Sequence, residues 1–204
     1  MGRSNSKIKG TGRKTFAIVV DGETEMWYLQ MLHRNEKIKG ISIQPELPTK
    51  KKLADQFKAV KSNALIYDQS IWIIDLDVVI KENRIAELNK YLTEAKSDSK
   101  IKILVNTPCL EFWFLSHVKD SGKYYANGEQ LIKELTKYDP LKDFAKSEKY
   151  FVKDTPDIYK RLRPYLKSGI ENAAKRGDFD INNPQQGKAE MYKLFELLGL
   201  DITE

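Results

Sequence analysis

Asp21, Glu25, Asp75, Asp77 and Glu111 are the residues of this 204-residue chain whose types and spacing could do chemistry. Asp21 follows an uninterrupted uncharged run, Thr15 to Val20, and precedes Gly22. A run of that kind reads as a strand buried on both faces, so the Asp21 carboxylate should sit at a strand's carboxyl end. Asp75 and Asp77 close a second such run, Ile71 to Ile74, as Asp-x-Asp. On regular strand geometry they would point to one side, ~6 to 7 Å apart along the chain. Burying two like charges at a sheet edge is costly unless a divalent cation neutralises them. Magnesium prefers one or two carboxylates plus waters and phosphate oxygens, which points to phosphoryl chemistry. The plain alternative for Asp-x-Asp is a pair of acids in a solvated turn, or caps for the next helix. Asp21 adds to the pattern: if its strand neighbours that of Asp75, ~4.8 Å away, the two carboxylates come within reach of one ion. Glu25, on the first turn of the following helix, either faces that crevice or simply complements the helix N-terminus. Glu111 stands alone in Leu110-Glu111-Phe112-Trp113-Phe114-Leu115, as a dipole partner or as part of the crevice. His117 lies roughly 9 Å further along that helix and reads as a packed, hydrogen-bonded histidine. His33 reads as a charge complement at a helix C-terminus.

The elements that must position these residues alternate. Strands are expected at 15–20, near 41–43, at 71–77 and at 101–106. Helices are expected at 23–36, 50–61 and 80–95, the last with Ile85, Leu88, Leu92 and Ala95 on one face. A markedly apolar helix opens at Pro108, a residue suited to a first turn. Strand-helix alternation argues for an α/β fold with a mainly parallel four-stranded sheet, helices on both faces, and ligands gathered at the carboxyl edge. Beyond residue 119 the strand signals stop, and helices are expected at 128–138, 157–176 (long and basic) and 187–198. Residues 1–14 read as a disordered basic leader, 15–120 as the α/β core, and 121–204 as a helical extension packed on it. Gly10-Thr11-Gly12-Arg13-Lys14-Thr15 is no P-loop, because it precedes a strand and lacks the glycine before the lysine.

Composition narrows the classes further. No segment approaches the ~18 apolar residues of a membrane span, and no secretory h-region opens the chain. A single cysteine, Cys109, excludes an internal disulfide, and nothing has zinc-finger spacing. A reducing cytoplasm is the expected location. The net charge of +6 is compatible with a polyanionic partner. Arg3, Lys7, Lys9, Arg13 and Lys14 crowd the leader, and Lys50, Lys51, Lys52, Lys58 and Lys61 a predicted helix. Such clusters are either solvating or contacts for a phosphate backbone.

The order Asp21-Gly22-x-Thr24-Glu25 with Tyr28, then Asp75-x-Asp77, then Asn106-x-Pro108-Cys109-x-Glu111-x-Trp113 with His117 resembles the RloB-like proteins. Tyr150 to Lys153, Tyr159, Ala173 to Lys175 and Asn183-Pro184 extend the resemblance over about residues 15 to 198. It implies a Rossmann-like Toprim-type domain related to nucleases of the overcoming-lysogenization-defect type. It also implies a glutamate after the first strand in general acid/base chemistry, an Asp-x-Asp pair holding magnesium, and a neighbouring ATPase in a restriction or phage-defence setting. One position departs from the pattern. Aspartate stands at Asp21 where the family has glutamate, and a reach shorter by roughly 1 Å can cost about 100-fold in rate.

The expected function is therefore a Mg2+- (or Mn2+-) dependent nuclease acting on DNA or RNA. Asp21, Asp75 and Asp77 would be metal ligands. Asp21, Glu25, Glu111 and Lys153 would be catalytic, and Lys153, Lys160, Arg161 and Arg163 would hold the nucleic acid. No membrane association is expected, and an oligomer is compatible with the chain. The rival expectation is a catalytically weak or inactive subunit that binds nucleic acid or a partner ATPase. A receiver-like signalling domain fits poorly, since its acidic pair should follow the first strand.

Overall fold

The computed structural model describes residues 14–37, 41–48 and 52–200. Most of the basic leader, with Lys50 and Lys51, lies outside the described residues. Five strands form one sheet: β1 (Lys14–Val19), β2 (Ile41–Glu46), β3 (Gln69–Asp75), β4 (Ile101–Thr107) and the two-residue β5 (Lys188–Ala189). Their order is β2-β1-β3-β4-β5, parallel throughout except for β5 against β4. The four-stranded parallel sheet expected from the alternation is therefore present, with a short antiparallel strand added at its edge. The strand of Asp21 and the strand of Asp75 are hydrogen-bonded neighbours.

The strands are apolar on both sides because both sides are covered. Phe16, Ile18, Ile71, Ile73 and Leu104 pack with α1 (Glu23–Glu36) and α5 (Glu111–Val118). The same cluster takes in α6 (Gly128–Leu135), α7 (Ile158–Leu162), α8 (Leu166–Ala174) and α9 (Tyr192–Leu197). Val19, Trp72, Ile74 and Val105 face the other way, onto α2 (Leu53–Ala64), α3 (Leu76–Lys81) and α4 (Ile85–Ala95). The tail thus closes one face of the sheet. No helix among the described residues is long and apolar enough to cross a membrane.

Five expected elements differ from the structure: the apolar helix expected to open at Pro108 opens at Glu111, and four others change as follows. The strand expected over 71–77 ends at Asp75, because Leu76 N and Asp77 N both donate to the Pro108 carbonyl at 2.9 Å. That turns the chain into α3 and puts Asp77 on a helix. The helix expected over 80–95 is two helices, α3 and α4, parted at Asn83, whose φ of 54° is left-handed. The long basic helix over 157–176 is α7, a 3-10 turn at Arg163–Tyr165 and α8, since Pro164 removes a donor. The helix over 187–198 gives way to β5 and begins only at Tyr192. Glu190 explains this: its carboxylate accepts from Val105 N at 2.8 Å and Phe179 N at 3.1 Å, pinning the segment to the sheet edge.

Gly187, just before β5, is packed too closely for any side chain. A Cβ there would lie 2.6 Å from Phe112 Cζ and 2.7 Å from the Lys123 carbonyl oxygen. Gly187→Ala is expected to lower unfolding free energy by about 2 kcal/mol, read as a shift of the urea midpoint at unchanged slope.

Candidate active site

The site grows from three strand ends. Beyond β1 the chain passes Asp21 and Gly22 and enters α1 with Glu23 and Glu25 in its first turn. A Cβ on Gly22 would come within 2.8 Å of Glu25 Oε2, so a side chain there would displace that carboxylate. Asp75 ends β3, in register with Asn106 of β4. After β4, Pro108, Cys109 and Leu110 turn the chain into α5, whose first residue is Glu111. Three neighbouring strands of the sheet, β1, β3 and β4, therefore end at one edge, and each leads an acid into it.

Asp21 is held from the α2 side. Its Oδ1 accepts from Gln56 Nε2 at 3.1 Å, and Gln56 Oε1 accepts from Trp72 Nε1 at 2.8 Å. Asp21 and Asp75 both line a small cleft of about 20 Å³ with Leu53, Ile74, Val79 and Arg84. Glu25 is only 3% exposed and takes 3.2 Å contacts from the Thr24 hydroxyl. Burial, with the charges of Glu111 and Asp21, pushes its carboxyl up to about 7. Burial also raises Asp75 well above the usual carboxylate range, and the charges of Glu25, Glu111, Asp21 and Asp77 add to it. Asp77 is raised as well, chiefly by burial, although Val78 N donates to its Oδ1 at 2.7 Å. The five acids of the sequence pattern thus form one electrostatic neighbourhood.

Glu111 is wholly buried, and its Oε1 lies 2.8 Å from Lys146 Nζ. Burial alone would lower the Lys146 ammonium, but the Glu111 carboxylate outweighs that and holds it above its ordinary value. Cys109 is buried beside the pair, its thiol pushed up by burial and by the charges of Glu111 and Asp75. One donor atom each from Asp75, Cys109 and Glu111 lies within 4.8 Å of the others. Asp75 Oδ1 and Glu111 Oε2 are buried and accept no hydrogen bond. Buried carboxylate oxygens without donors are costly, and a cation among them would satisfy both. The donor set therefore fits a divalent ion. The metal-capable group among the described residues is Asp75, Cys109 and Glu111, while Asp21 and Asp77 stand around it as further negative charges.

The cationic candidates divide differently. Lys153 is not brought to the acids: its side chain is 63% exposed and pairs with Glu148 at 2.8 Å. Arg161 lies over the Tyr150 ring, 4.6 Å from its centroid, and donates from Nε to the Pro156 carbonyl at 2.7 Å. Arg163 Nε donates to Glu36 Oε1 at 2.9 Å. Lys160 is exposed on α7. Lys146, which no motif marks, is a cation that does reach Glu111. The only signal for it was indirect: a buried Glu111 requires a positive partner from somewhere. Lys146→Met leaves that carboxylate uncompensated and should destabilise by about 1–2 kcal/mol, less than a fully buried pair would lose because the lysine is 44% exposed. Lys153→Met should change stability by less than about 0.5 kcal/mol. Urea unfolding of both variants, with Lys146→Met combined with Glu111→Gln to restore the loss, checks this.

A family model described as RloB-like protein matches residues 16–198. Comparison with the curated proteins and with the solved structures finds no match. With that match spanning both the sheet that carries the acids and the tail that supplies Lys146, the chain belongs to the RloB-like protein family.

Proposed function

We propose that this protein is a Mg2+- or Mn2+-dependent phosphodiesterase acting on nucleic acid, with a Toprim-type core at residues 15–120 and a helical extension at 121–204. The observation that carries this reading is the pairing of half-buried Asp75 with buried Glu111, with donor-free oxygens within one ion's reach and Lys146 alongside. A divalent ion held there would polarise a phosphoryl oxygen and lower the pKa of bound water. The chain's own residues do the rest. Asp75 and Glu111 hold the ion. Glu25, poised near neutrality, keeps or releases a proton at its carboxyl and so suits general acid/base work near pH 7. Lys146 fixes the Glu111 carboxylate, and Gln56 fixes that of Asp21. Asp77 adds negative charge that deepens the attraction for the cation. Lys153, Lys160, Arg161 and Arg163 offer positive charge for a DNA or RNA backbone. Family resemblance supplies the rest of the setting: a restriction or phage-defence role in the cytoplasm beside an ATPase.

A second reading, a weakly active subunit that binds nucleic acid or a partner, is favoured by one contact. Asp21, the shorter acid that stands where the family has glutamate, already spends an oxygen on Gln56. Purified protein incubated with magnesium or manganese and with single- and double-stranded DNA and RNA separates the two. Cleavage that disappears in Asp75→Asn supports the hydrolase. Nucleic-acid binding with no turnover, with the ATPase present, supports the subunit.

A further inference from the structure

Beside the two carboxylates stands a group that magnesium does not use. Cys109 Sγ belongs to the same 4.8 Å set as the Asp75 and Glu111 oxygens, and thiolates bind thiophilic ions such as zinc, not magnesium. We propose that Cys109 makes this site a receptor for a thiophilic divalent ion, Zn2+, which binds through Asp75, Cys109 and Glu111 and bars magnesium. This rests on the reading of the acidic cluster as a cation site. Two carboxylates and one thiolate give three protein ligands, and a water completes the tetrahedron. On binding, a Zn–S bond forms, the S–H bond breaks, and the proton passes to solvent. Two carboxylates and a thiolate carry three negative charges, which Zn2+ and the Lys146 ammonium together balance. Tetrahedral bonds of about 2.0 to 2.3 Å set ligand atoms roughly 3.3 to 3.8 Å apart, against separations within 4.8 Å here. The independent sign that something belongs there is the wholly buried Glu111, whose Oε2 has no hydrogen-bond donor.

The test uses cobalt(II) as an optical stand-in for zinc on the full-length protein. Wild-type protein should develop a near-ultraviolet thiolate-to-cobalt band that saturates at one equivalent and is bleached by zinc. The band should be absent from Cys109→Ser and from Cys109→Ala, each checked for folding by circular dichroism. Protein presaturated with zinc should lose its magnesium-induced rise in Tm. No band in wild type, or a band that survives both substitutions, overturns the proposal. The underlying cation-site reading is judged separately, by whether zinc-free protein shows a magnesium-induced Tm shift at all.

Discussion

Asp75→Asn is expected to abolish the response to magnesium that the proposed function requires and, in metal-free buffer, to make the protein more stable. Both effects come from one source. Asp75 is half-buried among Glu25, Glu111, Asp21 and Asp77, its Oδ1 enclosed, so without a cation its charge is unfavourable and its carboxyl titrates well above the usual range. A carboxyl raised on folding contributes most below its unfolded value and loses that contribution as pH rises. The asparagine variant should therefore gain on wild type progressively above pH about 4, reaching about 0.5–2 kcal/mol at neutrality. For a chain of this size that is a Tm increase of roughly 1–8 °C. With magnesium present the order reverses. An ion at 100 times its Kd stabilises wild type by about 2.7 kcal/mol and the variant hardly at all. Divalent-ion-dependent cleavage should fall by about 100-fold or more. Melting curves at pH 5 and pH 7.5, with magnesium and with chelator, contain the whole test. A variant that melts no higher than wild type in chelator would show that the acids are not crowded as described.

Acidification should strain the other end of α5. His117 is buried, and its Nδ1 lies 2.9 Å from the Trp113 carbonyl oxygen. Its ring stands edge-on to Trp113 at 4.4 Å between centroids. Gly169 of α8 presses on it, since a Cβ there would lie 3.0 Å from three ring atoms. Burial lowers the imidazole to about 4, with only backbone hydrogen bonds opposing it. A depressed base favours the neutral form, so its contribution is intact above pH about 6.5 and is lost as pH falls toward 4. The loss should total about 3 kcal/mol. Glu25 runs the other way: raised to about 7, it contributes more as pH falls from 7 to 4.5. Between pH 4.5 and 6.5 the His117 slope opposes those of the raised carboxyls Glu25 and Asp75. His117→Asn, which keeps a donor for the Trp113 carbonyl, removes one slope. Urea unfolding from pH 7 to pH 4 should show the wild-type advantage over the variant shrinking by about 3 kcal/mol, and parallel curves would contradict a buried neutral ring.

These expectations depend on features of unequal visibility in the chain. Apolar runs ending in acids, each followed by helical spacing, determined the parallel sheet and the delivery of Asp21 and Asp75 to its carboxyl edge. The reason is local: a strand buried on both faces needs an unbroken apolar run, and its end is punctuated by the polar residues that follow. Helix α1 is bounded as its sequence predicts, at Glu23 and Glu36. His117 also packs as its place on an apolar helix suggests.

Tertiary structure alone decided the rest, because each remaining feature depends on a partner remote in the chain. Asp77 sits on a helix because the Pro108 carbonyl takes the Leu76 and Asp77 amides. Residues 188–189 form a strand because Glu190 and the edge of β4 hold them there. Lys146 lies in a loop with no motif, and it becomes the counter-charge of Glu111 only when the tail folds over the sheet. Local spacing can bring acids to a common edge. Which cation faces them, and whether Cys109 joins them, is set by contacts between segments that sequence spacing does not encode.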